Sequence, residues 1–173
     1  MPTAEQLRKE CTDFFEANNI LYSVFDEERN VLKISFSASA EKDGGGTETM
    51  VYADFDEDGD NSDSVHFTTG RWAECPQENI PQVLVALNEA NKKYRWAKFW
   101  LDISDEGAWF VGATDAMVFP GTVGLECARA IFTLSSITED VLVGLRDLLK
   151  LGDDEEAQLR AMYEKLKVMF GDE

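Results

Sequence analysis

Between residues 20 and 72 four short apolar runs follow one another with only polar turns between them. The runs cover residues 20–25, 31–39, 49–55 and 64–72. Leu32, Ile34 and Phe36 alternate with polar neighbours, as do Val65, Phe67 and Thr69. A period of two places one set of side chains on one face of a sheet. Consecutive runs are joined by a charged turn at residues 26–30, a glycine-rich loop at 42–46 and an acidic turn before Ser64. None of these connections has room for the helical crossover that a parallel pair requires, so the segment reads as an antiparallel meander. A second hairpin follows, with residues 96–103 and 108–119 flanking the turn Ser104-Asp105-Glu106-Gly107.

Helical periodicity surrounds these strands. Thr3 with Gln6 forms a capping-box pattern ahead of Leu7, Cys11, Phe14 and Phe15, which predicts a helix over residues 3–18. Pro81 sits in the first turn of a second helical stripe, Ile80, Val83, Leu84, Leu87, Ala90, Asn91 and Tyr94. The steps of three and four from Val123 through Cys127, Ala130, Leu134, Ile137, Val141 and Leu145 to Leu148 mark a long third helix over residues 122–150. Its neighbours Ile131, Phe132, Leu142, Val143 and Leu149 give it more apolar surface than one sheet face needs. Gly152 interrupts, and Asp153 with Glu156 can cap a last amphipathic helix presenting Leu159, Met162, Tyr163, Leu166, Met169 and Phe170.

The expected fold is therefore α+β: a mostly antiparallel sheet in the order α-β-β-β-β-α-β-β-α, helices packed on one face, plus a C-terminal helix. The expected division is a domain over residues 1–151 and an appended helix over 152–173.

A 44% hydrophobic and 11% aromatic content supplies a packed core. Lys plus Arg number 16 against 34 Asp plus Glu, a formal charge of −18. Such a field repels phosphate backbones and anionic membrane surfaces, which leaves neutral, basic or apolar protein surfaces, or cations, as partners. The N-terminus lacks a basic segment followed by an apolar run, and no stretch approaches the ~18 apolar residues of a spanning helix. Cys11, Cys75 and Cys127 are odd in number and widely spaced, which argues against a disulfide framework or a zinc site and fits a reducing cytoplasm.

Chemistry-bearing motifs are few. Asp54, Asp56, Asp58, Gly59 and Asp60 reproduce the opening of a calcium loop, but Asn61 takes the usual apolar position and Val65 stands where a bidentate Glu closes the site. The loop reads as a solvated acidic turn, and a cation- or small-molecule-binding role centred on residues 54–63 is the rival reading. His66 is the only histidine, which leaves a pairing with Cys75 or another thiol as the one available nucleophile–base couple, and it falls on the polar side of its strand. Gly44, Gly45 and Gly46 lack the Lys-Ser/Thr of a phosphate loop. Trp72, Trp96, Trp100 and Trp109 read mostly as core, and the strand at 96–103 carries Trp96, Lys98 and Trp100 on one face and Ala97, Phe99 and Leu101 on the other. No catalytic, cofactor-binding or metal-ligating residue is assigned.

The segment from Leu87 to Asp102 joins an LNxxN helix end (Leu87, Asn88, Asn91) to a KFxLD strand (Lys98, Phe99, Leu101, Asp102), followed by an acidic turn and a second strand. This resembles the YbjN-like family, and residues 3–150 follow the element order of the type III secretion chaperone-like fold. The resemblance implies a small acidic protein, often dimeric, that binds other polypeptides or regulates, without enzymatic activity. Read from the residues alone, Asn91 is placed to turn back and bond the chain at its helix end, where Lys92, Lys93 and Arg95 favour the helix dipole. The functional expectation is a non-enzymatic interaction or chaperone-like regulatory module of a bacterial cytoplasm, a homodimer with a protein partner, without cofactor, nucleic acid or membrane.

Overall fold

The computed structural model describes residues 3–37, 48–55, 64–104 and 106–151. In chain order these form α1 (Ala4–Ala17), β1 (Tyr22–Asp26), β2 (Val31–Ser37), β3 (Glu48–Asp54), β4 (Ser64–Thr68), β5 (Ala73–Cys75), a 3-10 turn at Gln77–Asn79, α2 (Ile80–Lys93), β6 (Lys98–Ser104), β7 (Gly107–Met117) and α3 (Val123–Leu149). Every strand pairing is antiparallel. The meander β1-β2-β3-β4 forms as its alternation predicts, β4 lies against the C-terminal half of β7, and β6 forms a hairpin with β7. The α+β class and the antiparallel sheet agree with the sequence reading.

One strand is added. Residues 64–72 do not form a single strand, because the chain turns at Gly70, whose φ of +63° is open to glycine at little cost. The Tyr52 ring rests where a side chain would stand there, 2.9 Å from an ideal Cβ. The chain then returns to β7 as the three-residue β5, on the side opposite β6. This leaves β1, β5 and β6 as sheet edges, each with one neighbouring strand among the described residues.

Register assigns the two faces. Leu32, Ala53, Phe67 and Thr114 stand opposite one another in turn, as do Leu101, Phe110 and Ala73. This face packs on α2 and α3 in one core that includes Phe67, Phe99, Phe110, Leu87, Leu134 and Leu142. Full burial of each such side chain contributes roughly 1.5–3 kcal/mol.

The apolar surplus of α3 is taken up inside the chain. Ile131, Leu142 and Leu149 are buried, Phe132 is half-buried, and Val143 is exposed. The cover is shared by α1, which packs chiefly on α3 through Leu7, Cys11 and Phe15, and α2, which also packs on α3. Gly124 permits that approach, since an ideal Cβ there would fall 2.1 Å from the Phe14 Cβ. The start of α3 has no side-chain cap of its own at Thr122, and Glu10 of α1 supplies one, accepting from the backbone N–H of Gly121 (2.8 Å) and Val123 (3.2 Å). At the other end Lys150 takes a left-handed conformation, Asn79 donates to the Leu148 carbonyl, and Lys150 pairs with Glu78. Both ends of α3 are thus tied to other elements. The predicted helix at 152–173, the loop at 42–46 and most of the acidic loop at 54–63 lie outside the described residues.

Candidate functional site

The second face of the sheet carries no helix among the described residues. Lys33, Tyr52, Thr68, Ala113 and Lys98 cross it as one row, and beside them Trp100 stands opposite Val111 while Trp109 is flanked by Asp102 and Glu74. Val111 and Ala113 are buried yet take no part in the core under the helices, so their cover comes from this outer face. Phe25, Met117 and Trp100 are exposed at 62%, 63% and 41%. Phe25 sets its edge against the Tyr52 ring, with centroids 4.9 Å apart. Trp109 places its buried indole N–H here without a hydrogen-bond partner among the described residues.

Charged groups frame this apolar field. Arg29 reaches Asp54 at 2.6 Å, and His66, opposite Asp54 in register, sets Nδ1 2.8 Å from the Asp115 carboxylate. At the other side Arg71 bonds Asp102 (2.7 Å) and Glu106 (2.9 Å). Those two carboxylates, Asp102 first, raise the Arg71 guanidinium further above its ordinary range. Exposed pairs of this kind contribute on the order of 0–1 kcal/mol each, so their effect is to fix side chains around the field.

The thiol–histidine couple is not assembled. His66 belongs to the outer face, whereas Cys75 shares a row with Ala108 and Ile103 on the face turned to the helices and is buried. Burial pushes the Cys75 thiol up, away from the nucleophilic thiolate. Asp54, the first residue of the acidic loop, is buried and held by Arg29.

Two expectations are corrected. None of the four tryptophans is fully buried: Trp72 and Trp109 are half-buried, and Trp96 is 72% exposed in the turn before β6. The cause is that β6 is an edge strand whose outer face has no cover among the described residues. Asn91 also does not turn back on its own helix. Its carboxamide straddles Phe99 of β6, accepting from the backbone N–H at 2.8 Å and donating to the carbonyl at 2.7 Å. The helix-end carbonyls of Asn91 and Tyr94 are met instead by the Lys98 ammonium. Nothing local in the sequence signals either contact, because both depend on where β6 returns.

Two open grooves lie on the described surface. One, about 520 Å³, runs between α1 and the β1-β2 hairpin past Arg8, Thr12, Tyr22 and Glu27, with an Arg8–Glu27 pair at 2.9 Å. The other, about 550 Å³, lies between β5 and the end of α3 beside Trp72, Trp109 and Leu149.

The model of the YbjN family, described as "Putative bacterial sensory transduction regulator", matches residues 44–143, more than half of the chain. The chain belongs to the YbjN family. A solved structure with the same fold is titled "Crystal structure of YbjN, a putative transcription regulator from E. coli". It is 14% identical, with a TM-score of 0.55, and the match covers 80% of this chain and 90% of that one. No curated protein sequence matches. The family model takes in β3 to most of α3, including the Asn91–Phe99 clasp and the part of the outer face on β3 to β7, while Phe25, Arg29 and Lys33 precede it.

Proposed function

We propose that this YbjN-family chain is a non-enzymatic regulatory module of the bacterial cytoplasm that acts by holding another polypeptide on the open face of its sheet, in the manner of a secretion chaperone-like fold. The observation that carries this reading is the outer face itself. Phe25 and Trp100 stand exposed on a face that has no cover among the described residues, framed by Arg29, Asp54, His66, Asp115, Arg71 and Asp102, and Met117 stands exposed on the same face one step beyond the His66–Asp115 pair. Contiguous apolar surface rimmed by charge is the usual mark of a protein-binding patch. The acidic excess of the chain directs it to neutral or basic polypeptides. Residues 1–151 form the binding domain in this reading, and the amphipathic stretch 152–173 is an appendage to it.

The test is affinity capture from native cells with the wild-type chain and a Phe25→Ser/Met117→Ser double variant. Both substituted side chains are already solvated, so the fold is expected to survive the change. A polypeptide recovered in near-stoichiometric amount with the wild type and lost with the variant supports the reading. Equal recovery with both refutes it.

A further inference from the structure

The edge of the sheet at β6 is only partly closed. Phe99 directs its N–H and C=O away from β7, into the Asn91 carboxamide. Strand backbone groups alternate in direction, so Leu101 and Ile103 point the same way as Phe99, out of the sheet. No bond is made to those four groups among the described residues. A bare strand edge is a template for another strand. Two exposed apolar residues, Trp100 and Ile103, stand on this edge strand, and Leu84 stands exposed on α2. Leu84 lies seven residues before Asn91, two turns or about 10 Å back along a helix that runs antiparallel to β6, which sets it beside Ile103.

We propose that a second copy of this chain pairs here, β6 against β6 in antiparallel register about a two-fold axis at Asp102, so that one sheet runs through both protomers. This rests on the reading of the chain as an interaction module and names one of its partners. Charge complementarity selects the occupant. Residues 80–100 carry Lys92, Lys93, Arg95 and Lys98 against a single acid, Glu89, in a chain of net charge −18. The other end of the same strand leads towards the acidic Glu106. Antiparallel self-pairing lays the basic end of each copy on the acidic end of the other, twice by symmetry.

The register follows from the open groups. Leu101 of one protomer and Ile103 of its partner exchange both backbone bonds, giving four across the axis. The Asn91 clasp ends the ladder at Phe99 on each side. Trp100 then packs over Ser104 of the partner subunit, and Lys98 faces Glu106 of the partner subunit. Asp102 meets its own counterpart as a pair without backbone bonds, with Cα atoms about 4.5 Å apart. Like charges at that position are tolerable because each Asp102 is held by its own Arg71.

The experiment uses the full chain. Light scattering at tens of micromolar is expected to give twice the 19.4 kDa chain mass. Ile103→Pro, which deletes an N–H outside the fold's own ladder, is expected to give a monomer with unchanged circular dichroism. Asp102→Cys is expected to form a covalent dimer under mild oxidation, because that spacing suits a disulfide, while Ser104→Cys does not. The native cysteines are buried and do not compete. A monomeric wild type, a dimer indifferent to Ile103→Pro, or Ser104→Cys crosslinking as readily as Asp102→Cys overturns the proposal. The Phe25→Ser/Met117→Ser variant is expected to stay dimeric, so loss of the captured polypeptide and loss of the dimer are separate results.

Discussion

Replacing Glu10 with alanine removes the only side chain that caps the start of α3 among the described residues, although Glu10 lies 113 residues from Val123, the residue it caps. Losing an N-terminal cap costs about 1 kcal/mol, with a range of roughly 0.5–2. Losing a carboxylate from the positive end of a helix adds about 0.5 kcal/mol. Val123 is buried, so water can take over its N–H only poorly, which places the sum near the upper part of the range, about 2 kcal/mol. For a domain of this size that corresponds to a fall of about 4–8 °C in melting temperature. Glu10→Gln keeps an acceptor without the charge and is expected to lose about half as much. Thr122→Ala is the control, because Thr122 makes no cap bond and its hydroxyl reaches the Phe119 carbonyl instead. Thermal unfolding followed by circular dichroism reads all three. A Glu10→Ala protein that melts within 1 °C of the wild type would refute the claim that α1 and α3 are joined through this cap.

Two glycines of α3 are expected to respond in opposite directions to alanine. Gly144→Ala raises stability by up to about 1 kcal/mol because no atom stands within 4 Å of the new Cβ, whereas Gly124→Ala drives into Phe14 and costs about 3 kcal/mol or more; urea titration separates them. Burial, with Cys127 alongside as a hydrogen-bond partner, raises the Cys11 thiol well above its ordinary range. The native chain is therefore expected to show no fast-reacting thiol at pH 8 in a colorimetric thiol assay, and all three only after unfolding; a rapidly labelled cysteine in the folded chain would contradict the buried assignments. Millimolar calcium is expected to leave the melting temperature unchanged, since Val65 cannot close the 54–63 loop; a rise that disappears in Asp56→Ala would restore the cation-binding reading.

The parts of the fold that were legible in the sequence are those where periodicity runs long enough to identify a face. The alternation of Leu32, Ile34 and Phe36 gave β2, the three-four seam from Val123 to Leu148 gave α3, and Thr3 with Gln6 gave a capping box that is formed in both directions. β5 escaped because three residues after a glycine carry no period. The destination of Asn91 escaped because it is tertiary: a carboxamide at a helix end has local partners available, and only the return of β6 offers a better pair in the Phe99 backbone. The second apolar stripe of α3 was visible, but a stripe does not state what covers it, and α1 and α2 do so within the chain. The tryptophans were misjudged for a related reason. Composition favours burial of large rings, while the exposure of Trp96 and Trp100 follows from the position of β6 at an edge. The outer face was therefore the least legible element, since it is defined by the absence of a covering layer among the described residues.

Site-specific photo-crosslinking in native cells tests the central claim most directly. A photoreactive residue at position 117 samples the open sheet face, and one at position 143 samples an exposed point on the helical side. The account expects position 117 to capture one predominant polypeptide in covalent form and position 143 to capture none. Equal labelling from both positions, or a predominant adduct from position 143 alone, would contradict it.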